Sequence, residues 1–256
     1  MAKSISAAVR EICLSFPMAE EVLSHSTPDF KVKGKSFATL CINHHGDGRV
    51  ALWVRSPAGV QRLYTELNPE CYFVPPYVGP RGWLGVELNQ GLDWTMIASR
   101  VREAWENAAP AALASSLEGT IQIEPPDLEM SPEEIEPLLK AWPREMLAHI
   151  DKKCRRLPET NEGVQFGSPV WKAGKKTFVC VHHCDGRLQL QFWVGVEHQS
   201  MFTSDSRYSI PMYIGHNGWI NLDVEDETNW REIDALLMNS YRHFALKRML
   251  QALDGN

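Results

Sequence analysis

The feature that most constrains this chain is an internal repeat. Pro75-Pro76-Tyr77-Val78-Gly79-Pro80-Arg81-Gly82-Trp83-Leu84-Gly85-Val86-Glu87-Leu88 returns as Pro211-Met212-Tyr213-Ile214-Gly215-His216-Asn217-Gly218-Trp219-Ile220-Asn221-Leu222-Asp223-Val224. A 14-residue echo at fixed spacing of glycines and tryptophan makes the protein a tandem duplication. Each copy of the element reads as two short strands around a turn, with glycines where other residues resist positive φ and a tryptophan opening the second strand. Tyr77, Gly79, Gly82 and Trp83, with Tyr213, Gly215, Gly218 and Trp219, are thus structural marks of the repeat.

A chain of 256 residues, 44% hydrophobic and 23% charged, can bury a core in each copy. The repeat predicts domains at residues 1–108 and 143–256, joined by an acidic connector at 109–142. The net charge of −6 sits in that connector, which holds 1 Lys+Arg against 7 Asp+Glu. Each copy is itself electrically balanced, so overall charge excludes neither an anionic partner nor a basic one. No apolar run approaches the roughly 18 residues of a membrane span and no signal-like leader stands at the start, which predicts a cytoplasmic protein without a membrane partner. Six cysteines (Cys13, Cys41, Cys71, Cys154, Cys180, Cys184) are then expected as reduced thiols, with Cys13 and Cys154 buried on matching helices.

Periodicity predicts the same order twice. Ile5, Val9, Ile12 and Phe16 lie at helical spacing, as do Met146, Ile150, Cys154 and Leu157, and both helices stop at a proline, Pro17 or Pro158. Thr27 to Phe37 and Ser168 to Phe178 each read as strand, glycine turn, strand. A third strand (Val50–Val54, Leu188–Val194) is expected across the turns at Asp47-Gly48 and Asp185-Gly186. A helix at Pro57–Asn68, a weaker one at Glu197–Phe202, and final helices capped by Asp93 or Asn229 complete the pattern. The tryptophans pair as Trp53/Trp193, Trp83/Trp219 and Trp94/Trp230, read as core. In the connector, Ser131-Pro132-Glu133-Glu134 opens a helix-like stretch to Trp142.

The Pro-x-Phe/Trp-Lys-x-x-Gly-Lys hairpin (Pro28, Phe30, Lys31, Gly34, Lys35; Pro169, Trp171, Lys172, Lys175) and the Tyr-Val/Ile-Gly-x-x-Gly-Trp element together resemble the MmcQ/YjbR family, present twice. The resemblance implies an α+β fold, each repeat an antiparallel sheet with N- and C-terminal helices in a CyaY-like arrangement. It also implies similarity to double-wing DNA-binding domains, whose hairpins present basic residues to the duplex. The candidate DNA contacts are Lys31, Lys33 and Lys35, and Lys172, Lys175 and Lys176. A flexible ammonium on a hairpin tip can hold a phosphate without reading sequence. The competing reading is a protein-interaction module that docks through Glu124–Glu136 and has no nucleic-acid activity.

Other chemistry has no support. Cys180-x-His182-His183-Cys184 concentrates soft ligands, but alternation places His183 on the opposite face from the rest, and only the His-His pair recurs, as His44-His45. No metal and no cofactor is expected. Gly79-Pro80-Arg81-Gly82 is flanked by strands rather than the two helices of a nucleic-acid-clamping Gly-x-x-Gly loop. No nucleophile elbow, phosphate loop or dinucleotide fingerprint is present, so no catalytic residue is assigned and the chain is read as non-enzymatic.

Overall fold

The computed structural model describes residues 3–24, 27–115, 117, 119, 121–184, 187–224 and 228–255. The chain divides into two units, Met1–Ser131 and Pro132–Asn256. In the first, helix α1 (Ile5–Leu14) starts at Ser4, whose side chain accepts the Ala7 N–H, and buries Ile5, Ala8, Val9, Ile12 and Cys13. The strands β1 (Ala19–Ser24), β2 (Thr27–Val32), β3 (Lys35–Ile42) and β4 (Val50–Arg55) follow as an antiparallel meander. Helix α2 (Val60–Leu67) leads to β5 (Tyr72–Phe73) and β6 (Trp83–Glu87), and α3 (Trp94–Ala108) closes the unit's main core. The sheet order is β1-β2-β3-β4-β6-β5.

The connector is shared between the units. After α4 (Ala111–Ala114), Ile123 is buried and the Asp127 N–H donates to the Lys3 carbonyl, which ties this stretch to the first unit. The helix expected over Ser131–Trp142 is broken: α5 (Pro132–Ile135) stops, a 3₁₀ turn at Pro137–Leu139 intervenes, and α6 (Ala141–Cys154) begins afresh. Pro137 explains the break, since it cannot donate into the preceding turn and pushes Glu136 to extended φ −122, ψ 91. Leu138 then enters the second core.

The second unit repeats the plan with β7 (Thr160–Gln165), β8 (Ser168–Ala173), β9 (Lys176–Cys184), β10 (Arg187–Trp193), α7 (Gln199–Phe202), β11 (Tyr208–Ser209), β12 (Trp219–Val224), α8 (Trp230–Phe244) and α9 (Lys247–Asp254). Its order, β7-β8-β9-β10-β12-β11, is that of the first sheet. The final helices are capped as expected: Asp93 accepts the Thr95 N–H, and Asn229 accepts those of Arg231 and Glu232. Both sheets bury one face under their helices; in the second unit Ile150, Phe178, Leu190, Phe192, Ile233 and Tyr241 form one cluster.

Four expectations need correction. The sheets begin at β1 and β7, one strand earlier than periodicity predicts, because these edge strands bury neither face fully and show no alternation. The repeated element is not two strands around a turn: its first strand lies before it (β5, β11), and Pro75–Val78 is irregular ahead of a 3₁₀ turn at Gly79–Arg81. The stretch between β3 and β4 is a longer loop carrying a 3₁₀ turn at His44–Gly46, with Asn43 Oδ1 accepting the Gly48 N–H. Its Asp185-Gly186 counterpart lies outside the described residues. Finally, strand register re-pairs two sets of residues. Trp193 faces Trp219 as Arg55 faces Trp83, and Gln191 faces Asn221 as Trp53 faces Gly85, so Trp53 and Trp193 are not equivalent. His182 and His183 face Gln189 and Leu188, as Cys41 and Ile42 face Ala51 and Val50, so His44-His45 does not repeat them.

Candidate nucleic-acid interface

The predicted lysines sit on the hairpins β2–β3 and β8–β9. The first turns at Lys33-Gly34, both at positive φ (51° and 75°), the mirror-image geometry that matches strand twist. The second turns at Gly174-Lys175 with positive φ only at Gly174 (58°), so the glycine has moved one place while a two-residue turn is kept. Behind each tip a bulge leaves Phe37 or Phe178 without an opposing residue. Both phenylalanines are fully buried, so the bulge drives a ring into the core and fixes the hairpin to the body of the sheet.

Lys33, Lys35, Lys175 and Lys176 are exposed at the tips, whereas Lys31 and Lys172 are half-buried on the strands. Lys31 differs from the others: its Nζ lies 3.7 Å from Oδ2 of Asp29. Asp29 is itself buried and accepts the hydroxyls of Ser36 (2.6 Å) and Thr39 (2.8 Å). The structure thus brings Lys31, Lys33 and Lys35 onto one hairpin and Lys172, Lys175 and Lys176 onto another.

The repeated element is positioned by side chains that sequence reading missed. Gln61 Nε2 donates to the carbonyls of Gly79 (2.8 Å) and Trp83 (2.5 Å), and Gln199 Nε2 donates to those of Gly215 and Trp219, both at 2.7 Å. One amide clamps the two ends of each turn. The first glycine is required by contact, since a Cβ on Gly79 would stand 2.5 Å from Val74 Cγ1 and one on Gly215 2.2 Å from Ile210 Cγ2. The second is required by conformation, with φ at 83° in Gly82 and 89° in Gly218. Trp83 and Trp219 are buried, while Tyr77 and Tyr213 are exposed. A second recurring contact ties the residue before β4 to β6, and β10 to β12: Arg49 pairs with Glu87 at 3.0 Å and Arg187 with Asp223 at 2.7 Å.

Polar clusters elsewhere are internally satisfied. A cleft of about 250 Å³ in the second unit is lined by Arg187, Ser206, Arg207, Asp223, Thr228 and Glu232. Its guanidiniums are engaged, Arg207 by both Asp205 and Glu232 and Arg187 by Asp223, and the Arg207 hydrogen bond holds the Glu232 carboxyl below its usual range. Cys180 Sγ lies 4.0 Å from His182 Nδ1, and burial pushes the Cys180 thiol up to about 12 and the His182 imidazole down. The Cys184 side chain lies outside the described residues. Among the described residues no group of three or more His, Cys, Asp or Glu side chains is arranged to hold a metal. Cys13, Cys41, Cys71, Cys154 and Cys180 are free thiols, and burial raises the pKa of Cys13, Cys41 and Cys154. No described helix is long and apolar enough to cross a membrane.

In the first unit, the rings of His44, His45, Trp53 and Tyr77 cluster at the β3–β4 loop. His44 Nε2 is buried with no hydrogen-bond partner, and burial, then His45, lowers the His44 pKa. Asn43, His45 and Tyr77 there adopt positive φ.

Two α+β domains in tandem, each a six-stranded antiparallel sheet backed by helices and projecting a lysine-tipped hairpin, are the class of protein that this fold defines. The YjbR family model matches residues 14–107 and 155–243, and the chain belongs to that family. Among solved structures the chain is similar to Deinococcus radiodurans protein DR2400, described with a DUF419 domain, at 17% identity. That likeness covers 48% of this chain and 97% of the other, with a TM-score of 0.39. No curated protein matches.

Proposed function

We propose that the chain is a non-enzymatic, cytoplasmic DNA-binding protein that holds backbone phosphates of duplex DNA with its lysine-tipped hairpins. One observation carries this reading: Lys33, Lys35, Lys175 and Lys176 are exposed at the tips, and among the described residues none of the four makes an ion pair. Tip ammoniums held on a bulge-anchored hairpin supply positioned cations without base contacts, so binding is expected to be insensitive to sequence. The test is fluorescence anisotropy with labelled duplexes of unrelated sequence across a salt series. Binding that weakens steeply with salt and alike for each duplex is expected; negligible binding at low salt sinks the reading.

The connector favours a second reading. Ile123 and Leu138 anchor it inward while Glu124, Asp127, Glu129 and Glu133 stay exposed, which leaves an acidic surface suited to a basic protein partner. Replacing these four carboxylates with their amides and finding unchanged recovery of partners from lysate removes that reading.

A further inference from the structure

The two hairpins are not electrostatic equals. Residues 19–42 carry Glu20, Glu21 and Asp29 with three lysines, whereas residues 160–184 carry Glu162 with three lysines. Glu21 is held by Arg10 of the preceding helix at 2.9 Å; Glu162 lies 3.8 Å from Arg155, which also pairs with Asp151; and Glu159, whose carbonyl accepts the Gly174 N–H at the second tip, is held by Arg248 at 2.6 Å. Among the described residues that leaves two carboxylates without an arginine partner beside the first set of lysines, whereas both carboxylates beside the second set have one.

Both residual carboxylates adjoin Lys31. Glu20 faces it directly across the β1–β2 ladder, and Asp29 lies two residues away on the same pleat face with its Oδ2 3.7 Å from the ammonium. Strand register puts Asn161 opposite Lys172, where Glu20 stands in the first copy, and Val170 in the place of Asp29. Asp29 is fixed where it is, because the bulge brings Ser36 under its carboxylate and Thr39 donates from the next strand. Phosphates that approach the first hairpin therefore meet two carboxylates beside Lys31, and like charges repel over a range set by the Debye length of about 8–10 Å. Phosphates near the second meet ammoniums beside carboxylates that already have arginine partners.

We infer that the second domain's hairpin is the dominant phosphate contact and that Asp29 and Glu20 offset most of the charge of the first. This rests on the DNA-binding reading above and assigns its site. The first hairpin keeps its shape but has the weaker field, three lysines against two carboxylates.

The experiment uses the full chain and labelled duplex, compared across salt. Lys175→Glu with Lys176→Glu is expected to weaken binding about 10-fold or more and to flatten the log–log salt slope by about 2, near 0.9 for each phosphate that is no longer neutralised. Lys33→Glu with Lys35→Glu is expected to weaken it by less than about 3-fold. Asp29→Asn, which keeps an acceptor for one hydroxyl, is expected to strengthen binding about 2-fold or more. All four lysines are exposed, so these variants test charge rather than folding. Equal losses from the two pairs, or a larger loss from Lys33 and Lys35, overturn the inference while leaving DNA binding intact. An unmodified chain that does not bind at all overturns the DNA reading itself.

Discussion

At the scale of the residue, the least expected finding is how much one glutamine does in each copy. Gln199 is buried and bridges the carbonyls of Gly215 and Trp219, while Gln61 makes the same bridge half-exposed. Gln199→Ala leaves two buried acceptors unpaired and is expected to destabilise the second unit by about 1–3 kcal/mol, with Gln61→Ala nearer the bottom of that range because water can reach the site. Urea unfolding followed unit by unit measures the difference, and a larger effect at Gln61 contradicts it. The adjacent glycine makes a sharper case. Gly215→Ala drives a methyl into Ile210 and is expected to cost about 1–3 kcal/mol, and pairing it with Ile210→Ala is expected to restore most of that. Ile210 is 54% exposed, so its own truncation removes little burial.

At the scale of the element, central strands carry the structure and edge strands decorate it. Strands β3, β4, β9 and β10 have neighbours on both sides, while β1, β7, β5 and β11 end their sheets and β5 and β11 hold two residues each. Native-state hydrogen exchange is expected to be slowest in the first set and fastest in the last, and protected amides at Tyr72 or Tyr208 matching those of β4 refute this ordering. The same division governs what was legible in the sequence. Amphipathic helices, the lysine hairpins and the helix caps at Asp93 and Asn229 carry their own local signals and fall where periodicity puts them. Thr160–Gln165 has no apolar alternation to find, because an edge strand in this position buries almost nothing. The glutamine clamp escaped for another reason: matching Trp53 with Trp193 shifts the copies by two residues, whereas register matches Trp193 with Arg55 and so aligns Gln61 with Gln199. Asp29 and Val170 were visible as letters, but the offsetting role of Asp29 depends on a bulge that turns Ser36 toward it.

At the scale of the whole molecule, the duplication gives each of the two units its own sheet and helices. Each unit holds a complete six-stranded sheet with its own helices, and the connector contributes Ile123 to the first unit and Leu138 to the second. Separate fragments 1–131 and 132–256 are each expected to unfold cooperatively, with near-ultraviolet circular dichroism reporting native tryptophan packing. Cutting at residue 142, the boundary that charge and composition suggest, is expected to strip Leu138 from the second core and lower its stability by about 2–5 kcal/mol relative to a cut at 131. Equal stability for the two versions of the second fragment argues against that division.

The glutamine-clamped turn also has a practical meaning. Its shape is set by Gly79, Gly82 and Gln61, or by Gly215, Gly218 and Gln199, all acting through backbone or buried contacts. The two residues at the apex are exposed and differ freely between the copies, Pro80-Arg81 in one and His216-Asn217 in the other. Form and outward chemistry are therefore held by different side chains, which makes each apex a ready display site, where foreign residues could be presented in a fixed conformation by a scaffold that does not depend on them.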